Sequence, residues 1–243
     1  MTRILKLGGS VVTRKDEPET VDAEQLGSLA DAIADAPDDL VVVHGGGSFG
    51  HHHASAYGVS TVDGSHDAAA ARDIHGAMKE LNDAVVAALA DRGVPAVPVH
   101  PFSAASRTAT GELSLSTAPV SAMLTEGFVP VLHGDVVAHA GKGVTILSGD
   151  ELVADLATHL GADRVGLCSA VPGVLDTDGE VVPHIAAFDD VAAALGGSDA
   201  TDVTGGMAGK VRELLALSVP AYVFGVDGTR EFLAGGDPGT RID

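Results

Sequence analysis

Tryptophan is absent from this chain of 243 residues, cysteine occurs once, at Cys168, and aromatic residues make up only 3%. One cysteine makes no internal disulfide framework and no cysteine-based metal site, and it fits a reducing, cytoplasmic setting. The sequence shows no apolar run near the ~20 residues that span a membrane, and no signal-peptide pattern at its start. Basic residues are scarce: 14 against 34 acidic ones, for a net charge of −20. Such a field repels nucleic acid and anionic membranes, so neither is expected as a partner. Few lysines, many acids and abundant Ala, Val and Gly fit a salt-rich cytosol, where acidic side chains hold hydrated cations and salt screens their repulsion. Hydrophobic residues at 45% and charged ones at 20% suit a globular core rather than disorder, and the length is enough for one large α/β domain or two tightly joined lobes.

Apolar runs and glycine turns alternate along the chain. Strands are expected at Arg3 to Leu7, Leu40 to His44, Ala96 to Val99, Val129 to Leu132, Arg164 to Ser169 and Ala221 to Phe224. Helices are expected from Asp22 as N-cap to about Asp35, from Ala68 to about Arg92, and at Thr117–Glu126, Asp150–Leu160 and Gly206–Ser218. A hairpin is expected from Val136 to Leu147, turning at Gly141-Lys142-Gly143. Strands that are almost wholly apolar and alternate with helices predict a mainly parallel sheet covered on both faces.

Against so few lysines (Lys6, Lys15, Lys79, Lys142, Lys210), the ones near glycine motifs stand out. Lys6-Leu7-Gly8-Gly9-Ser10 ends the first strand in a glycine turn, with Lys15 in the polar loop beyond. A lysine there can act as a point cation over a phosphate. Gly45-Gly46-Gly47-Ser48-Phe49-Gly50-His51 follows the second strand, where three glycines let the backbone approach an anion closely. His51 is the candidate phosphate ligand, and His52 and His53 are expected to be bystanders. Adjacent residues rarely converge on one ion, so no protein-held metal is expected. His133-Gly134-Asp135 follows a further strand and Ser148-Gly149-Asp150 opens a helix. Asp150 can orient lysines or engage Mg²⁺, and an ordinary helix N-cap would also explain it. Thr204-Gly205-Gly206-Met207-Ala208-Gly209-Lys210 offers a helix start and a cation to an anion. Neither the Walker A spacing nor a Rossmann fingerprint is present.

Taken in order, these motifs resemble the amino acid kinase superfamily over nearly the whole chain, and the Gly239-Thr240-Arg241-Ile242 ending is similar to its closing strand. Gly47-Ser48-Phe49-Gly50-His51, with Lys15 nine residues after Lys6, resembles the isopentenyl phosphate kinase family within it. The resemblance implies an αβα fold of residues 1–243, with an acceptor-binding half of about 1–145 and a nucleotide-binding half of 146–243. It implies transfer of a phosphoryl group from ATP, with Mg²⁺, to isopentenyl phosphate in isoprenoid biosynthesis, by a homodimer. Lys6, Lys15 and Lys210 would stabilise the transferring phosphate, and Asp150 would organise the lysines. Gly46, Gly47, Gly50, His51 and Asp135 would hold the acceptor; Gly8, Gly9, Ser10, Gly173, Gly205 and Gly206 would join Lys6 and Lys210 at the nucleotide. One departure stands out: where relatives often read Thr-Asp-Val-x-Gly, this chain has Ser169-Ala170-Val171-Pro172-Gly173 and lacks the aspartate.

A phosphate monoester with its second pKa near 6 is mostly dianionic at neutral pH, so it needs charge relief rather than a strong base. Removing Lys6 or His51 is accordingly expected to abolish most activity with little loss of stability. Ile74 and Met78, at the start of an apolar helical stripe, are candidates for lining the acceptor's apolar tail. Two other readings remain open from sequence: a fosfomycin or acetylglutamate kinase, for which Arg72 and Asn82 could meet a carboxylate, and a non-catalytic nucleotide-sensing subunit.

Overall fold

The computed structural model describes residues 1–36, 39–195 and 206–243. Strand β1 (Arg3–Leu7) lies at the centre, between β2 (Leu40–His44) and β9 (Arg164–Cys168). The remaining strands are β3 (Ala96–Pro98), β4 (Ala105–Arg107), β5 (Leu113–Leu115), β6 (Val129–His133), β7 (Asp135–His139), β8 (Gly143–Leu147), β10 (His184–Ile185), β11 (Ala221–Phe224) and β12 (Thr240–Ile242). Eight of them form one sheet in the order β10-β12-β11-β9-β1-β2-β6-β3. From β11 to β3 every pairing is parallel; β12 runs antiparallel to β11, and β10 pairs parallel to β12. A smaller sheet, β5-β4-β7-β8, carries the expected hairpin as β7 and β8.

The helices are α1 (Gly9–Val12), α2 (Ala23–Ala34), α3 (Gly47–Tyr57), α4 (Ala68–Ala90), α5 (Pro101–Ala104), α6 (Ala118–Thr125), α7 (Gly149–Leu160), α8 (Ala192–Leu195), α9 (Gly206–Leu215) and α10 (Thr229–Leu233). Strand alternation decides which of them each side chain meets. Leu5, Leu7, Leu40 and Val42 face a core shared with α2, α4 and α10. Ile4, Val41, Val43 and Leu167 face the opposite core, shared with α6, α7 and α9. Lys6 follows the same alternation as Ile4, so it points to the α7 side. A third apolar cluster, with Ile74, Val136 and Val144, joins α4 to the small sheet. The covered, mainly parallel sheet is the architecture expected from the sequence.

Local chemistry explains most element ends. The Asp22 side chain accepts from Gln25 N–H and caps α2, and Asp67 accepts from Ala69 N–H and caps α4. The sequence reading missed α3. Its Gly, Ser and three consecutive His residues form helix poorly and mark no apolar stripe, yet the helix starts at Gly47 and closes at left-handed Gly58.

The C-terminal edge of the parallel strands is a staircase of glycine turns. Gly8 N–H donates to Cys168 O, Gly45 N–H to Leu7 O and Gly134 N–H to His44 O, each at 2.9–3.0 Å. Each turn is thereby held against the last residue of the neighbouring strand. In open α/β sheets this edge is where ligands bind.

Candidate active site

Three of the residues singled out in the sequence meet at the end of β1. Lys6 Nζ lies 2.5 Å from Asp150 Oδ1, and Lys210 Nζ lies 3.8 Å from Asp150 Oδ2. They come from β1, α7 and α9, and none neighbours another in sequence. Asp150 does not cap α7, since the Ser148 side chain accepts from Glu151 N–H and does so instead. Asp150 is thus free to stand between the two lysines. Burial alone would raise its carboxyl, but Lys6 and Lys210 outweigh that and hold it below the usual carboxylate range. Burial acts on the Lys6 ammonium in the opposite sense and Asp150 resists it. Two cations thus share the Asp150 carboxylate at a shielded strand end, and Glu213 of α9 acts on the same two lysines.

The acceptor side is built from two glycine turns in backbone contact. A Cβ on Gly9 would lie 2.3 Å from Gly47 N, and one on Gly45 would lie 2.7 Å from Gly9 N. No side chain fits at either position. Gly47 also needs its left-handed φ of +49°. Thr13 fastens the two turns: its Oγ1 donates to Gly9 O at 2.8 Å and accepts from Ser48 N–H at 2.9 Å. Gly50 sits against Met78, whose sulfur would be 2.6 Å from a Cβ there. His51 lies exposed in the first turns of α3. His52, also exposed, meets His53 edge to face. His53 is more than a bystander, because its Nε2 pairs with Glu19 Oε1 at 2.8 Å. Glu19 adopts a left-handed φ of +51° and donates its N–H to Ser48 O, and Thr20 N–H reaches Ser48 Oγ. The loop that carries the exposed Lys15 is therefore fastened onto the start of α3.

The profile of the amino acid kinase family matches residues 1–224. The chain belongs to the amino acid kinase family. It is 66% identical to the isopentenyl phosphate kinase of Haloferax volcanii over 98% of this chain and 97% of that protein. It is 39% identical to the isopentenyl phosphate kinase of Methanothermobacter thermautotrophicus over 88% and 86% of the two chains. Among solved structures, one described as isopentenyl phosphate kinase superposes with a TM-score of 0.83 at 32% identity, covering both chains completely.

Within this amino acid kinase fold, other positions singled out from sequence lie apart from the Lys6–Asp150 corner or serve packing as well. Asp135 is fully buried, and its carboxylate takes His75 Nδ1 at 2.8 Å and the backbone N–H groups of Val136 and Phe102. It anchors His75 of α4, a partner the sequence did not point to because the two lie 60 positions apart. Gly173 is closed against β12, where a Cβ would lie 2.7 Å from Thr240 Oγ1. Thr240 Oγ1 in turn accepts from Val174 N–H. Gly8 donates to Cys168 O, and Ser10 is exposed in α1. Gly206 opens α9 with a φ of +59°, and Gly205 lies outside the described residues. In the Ser169–Gly173 segment, Ser169 N–H bonds Phe224 O at 2.8 Å. Of the two tail-lining candidates, Ile74 lies in the cluster between α4 and the small sheet, and Met78 lies under the acceptor turn.

Proposed function

We infer that this chain is a kinase that transfers the γ-phosphoryl group of ATP to isopentenyl phosphate, giving isopentenyl diphosphate and ADP. The 66% identity to the Haloferax volcanii isopentenyl phosphate kinase over nearly the full length carries this reading. The geometry supports it chemically. The acceptor is already anionic, so the barrier is repulsion between two phosphates, and the Lys6 and Lys210 side chains relieve that repulsion. In this reading Lys6 and Lys210 meet the transferring phosphate, Lys15 closes from its loop, and Asp150 orients the two lysines. His51, at the start of α3, holds the acceptor phosphate, helped by the positive end of that helix. Gly46, Gly47 and Gly50 let the acceptor approach, and Gly8, Gly9, Ser10, Gly173, Gly205 and Gly206 serve the nucleotide. Residues 1–145 would hold the acceptor and 146–243 the nucleotide.

The donor set does not fit a protein-held magnesium ion. Asp150 is engaged by two lysines, and the described residues hold no group of three His, Cys, Asp or Glu side chains that could ligate a metal. In this reading Mg²⁺ arrives on the nucleotide phosphates with water completing its shell, and no step depends on a protein ligand. No helix among the described residues is long and apolar enough to cross a membrane. A homodimer acting in the cytoplasm completes the reading.

The test is ³¹P NMR of the purified protein with ATP and Mg²⁺ in molar KCl, offered isopentenyl phosphate or N-acetylglutamate in separate tubes. A new diphosphate signal in the first tube alone is the expected result. Turnover in the second alone would keep the family and overturn the substrate.

A further inference from the structure

Two buried histidines lie directly behind the glycine turns. His44 ends β2, His133 ends β6, and the strand register pairs them. Both are 0% exposed, and their rings stack at 5.5 Å between centroids, 25° from parallel. Each ring turns Nδ1 to the carbonyl of the glycine that follows it, and His133 Nδ1 also lies 3.8 Å from Asp135 Oδ2. His44 Nδ1 lies 3.1 Å from Gly45 O, and His133 Nδ1 lies 2.9 Å from Gly134 O. A carbonyl only accepts, so the network assigns the proton to Nδ1 in both rings. A neutral ring then presents a bare Nε2, and each finds a donor. Asn82 Nδ2 donates to His44 Nε2 at 3.1 Å, and His100 Nδ1 donates to His133 Nε2 at 2.9 Å. Burial pushes His44 down to about 4 and His133 down to about 3, so both rings are neutral at pH 7.

The two carbonyls serve opposite walls of the site. Gly45 opens the turn that leads through Gly46 into α3 and His51. Gly134 lies beneath the start of α7, where its Cβ would sit 3.5 Å from Gly149 N. Gly149 in turn packs on Lys6 Cε and His44 O, at 3.1 and 3.5 Å from its own added Cβ. One imidazole therefore holds the acceptor turn, the other holds the turn under the Asp150 helix, and the rings lie against each other. An apolar side chain would fill the same volume without orienting either carbonyl.

We propose that His44 and His133 are a pair of positioning residues that set the separation between the acceptor turn and the Asp150 helix. The proposal rests on the reading of this site as a phosphoryl-transfer centre. It is tested in two ways. The first is ¹⁵N NMR of histidine-labelled wild-type protein at pH 7, where both rings are expected as neutral Nδ1–H tautomers. The second is steady-state kinetics of His44→Asn, His44→Gln, His133→Asn and His133→Gln with ATP and isopentenyl phosphate. Asparagine places its amide near Nδ1 and keeps the donation to the turn, whereas glutamine places it near Nε2 and does not. The Asn variants should stay within about 3-fold of wild-type kcat/KM and the Gln variants should lose about 10-fold, the scale of one hydrogen bond. His44→Gln should show the loss as a raised KM for isopentenyl phosphate, and His133→Gln as a lowered kcat. Nε2–H or charged rings in the wild type would overturn the proposal. So would equal losses in Asn and Gln variants that only track thermal stability. A wild-type enzyme with no turnover would sink the functional reading instead, and the tautomers alone would then decide whether the pair orients the turns.

Discussion

The Lys6–Asp150–Lys210 corner and the His44–His133 pair stand at the ends of neighbouring strands, and they resolve the burial of ionisable groups in opposite ways. The corner keeps its charges. Its lysines are drawn from two elements onto one carboxylate, and their side chains are offered to a phosphate. The histidine pair gives up its charge. Each ring satisfies both nitrogens as a neutral tautomer and is held to one task, the orientation of a turn carbonyl. The difference teaches where charge is useful in this site. A cation beside the transferring phosphate lowers the barrier, while a cation one layer back would be costly to bury and would orient nothing.

The largest effect should come from removing the charged side of that contrast. Lys6→Ala is expected to lower kcat by about 10²–10³, as loss of a stabilising donor does in other enzymes. It should also destabilise the fold, because Asp150 would keep only Lys210, at 3.8 Å. The structure thus moves the expectation drawn from sequence, in which stability was unaffected. Steady-state kinetics and urea denaturation check both parts, and an unchanged midpoint would show that the ion pair contributes little to the fold.

His51→Ala should cost roughly 10² in kcat/KM for isopentenyl phosphate, the scale of one site contact to a phosphate. Because His51 is exposed, the melting temperature should stay within a degree or two, as surface substitutions usually do. Calorimetry beside the kinetic assay separates the two effects. A large drop in melting temperature would place His51 in the framework of α3 instead.

Gly9→Ala tests the ground on which both regions stand, since its Cβ would meet Gly47 N at 2.3 Å. The turns must separate, and a loss of about 1–3 kcal/mol in stability is expected from such overpacking. Denaturation at fixed KCl measures it, and a neutral variant would mean that the turns part without penalty.

Acid should then tell the two regions apart. The unfolded chain binds protons on its histidines near 6.5, whereas folded His44 and His133 refuse them until about 4 and about 3. Their contribution is complete above 6.5 and is lost as pH falls through that window, by about 3 kcal/mol for His44 alone. Asp150 has its folded pKa below 3.8, so its contribution is complete above that value and is lost only as pH falls lower still. Stability measured from pH 7.5 to 4 in constant KCl should therefore decline through the histidines first, and His44→Asn should flatten the decline.

Much of this was legible in the chain itself. The strand Leu40–His44 and the start of α2 at Asp22 follow from a short apolar run and a capping side chain, both local signals. The site was legible as a set of motifs, because glycine turns next to rare lysines are also local. Helix α3 was not, since its residues have weak helix propensity and the helix forms by packing Phe49 and Ala54 against the rest. His53 looked idle because Glu19, its partner, lies 34 positions away. The tie between Asp135 and His75 was not legible either, because the two lie 60 positions apart.

By itself the sequence determined the period of each element, the turns that only glycine can make and the chemical inventory of the site. These depend on neighbours within a few residues, where sterics and hydrogen-bonding chemistry act directly. Only the tertiary structure decided that Asp150 stands between Lys6 and Lys210, 144 positions from the first of them, and that His44 stacks on His133. Such meetings follow from the order of strands β9-β1-β2-β6 and the register between them. That order is set by burying both faces of the sheet at once, a requirement of the whole chain that no local stretch carries.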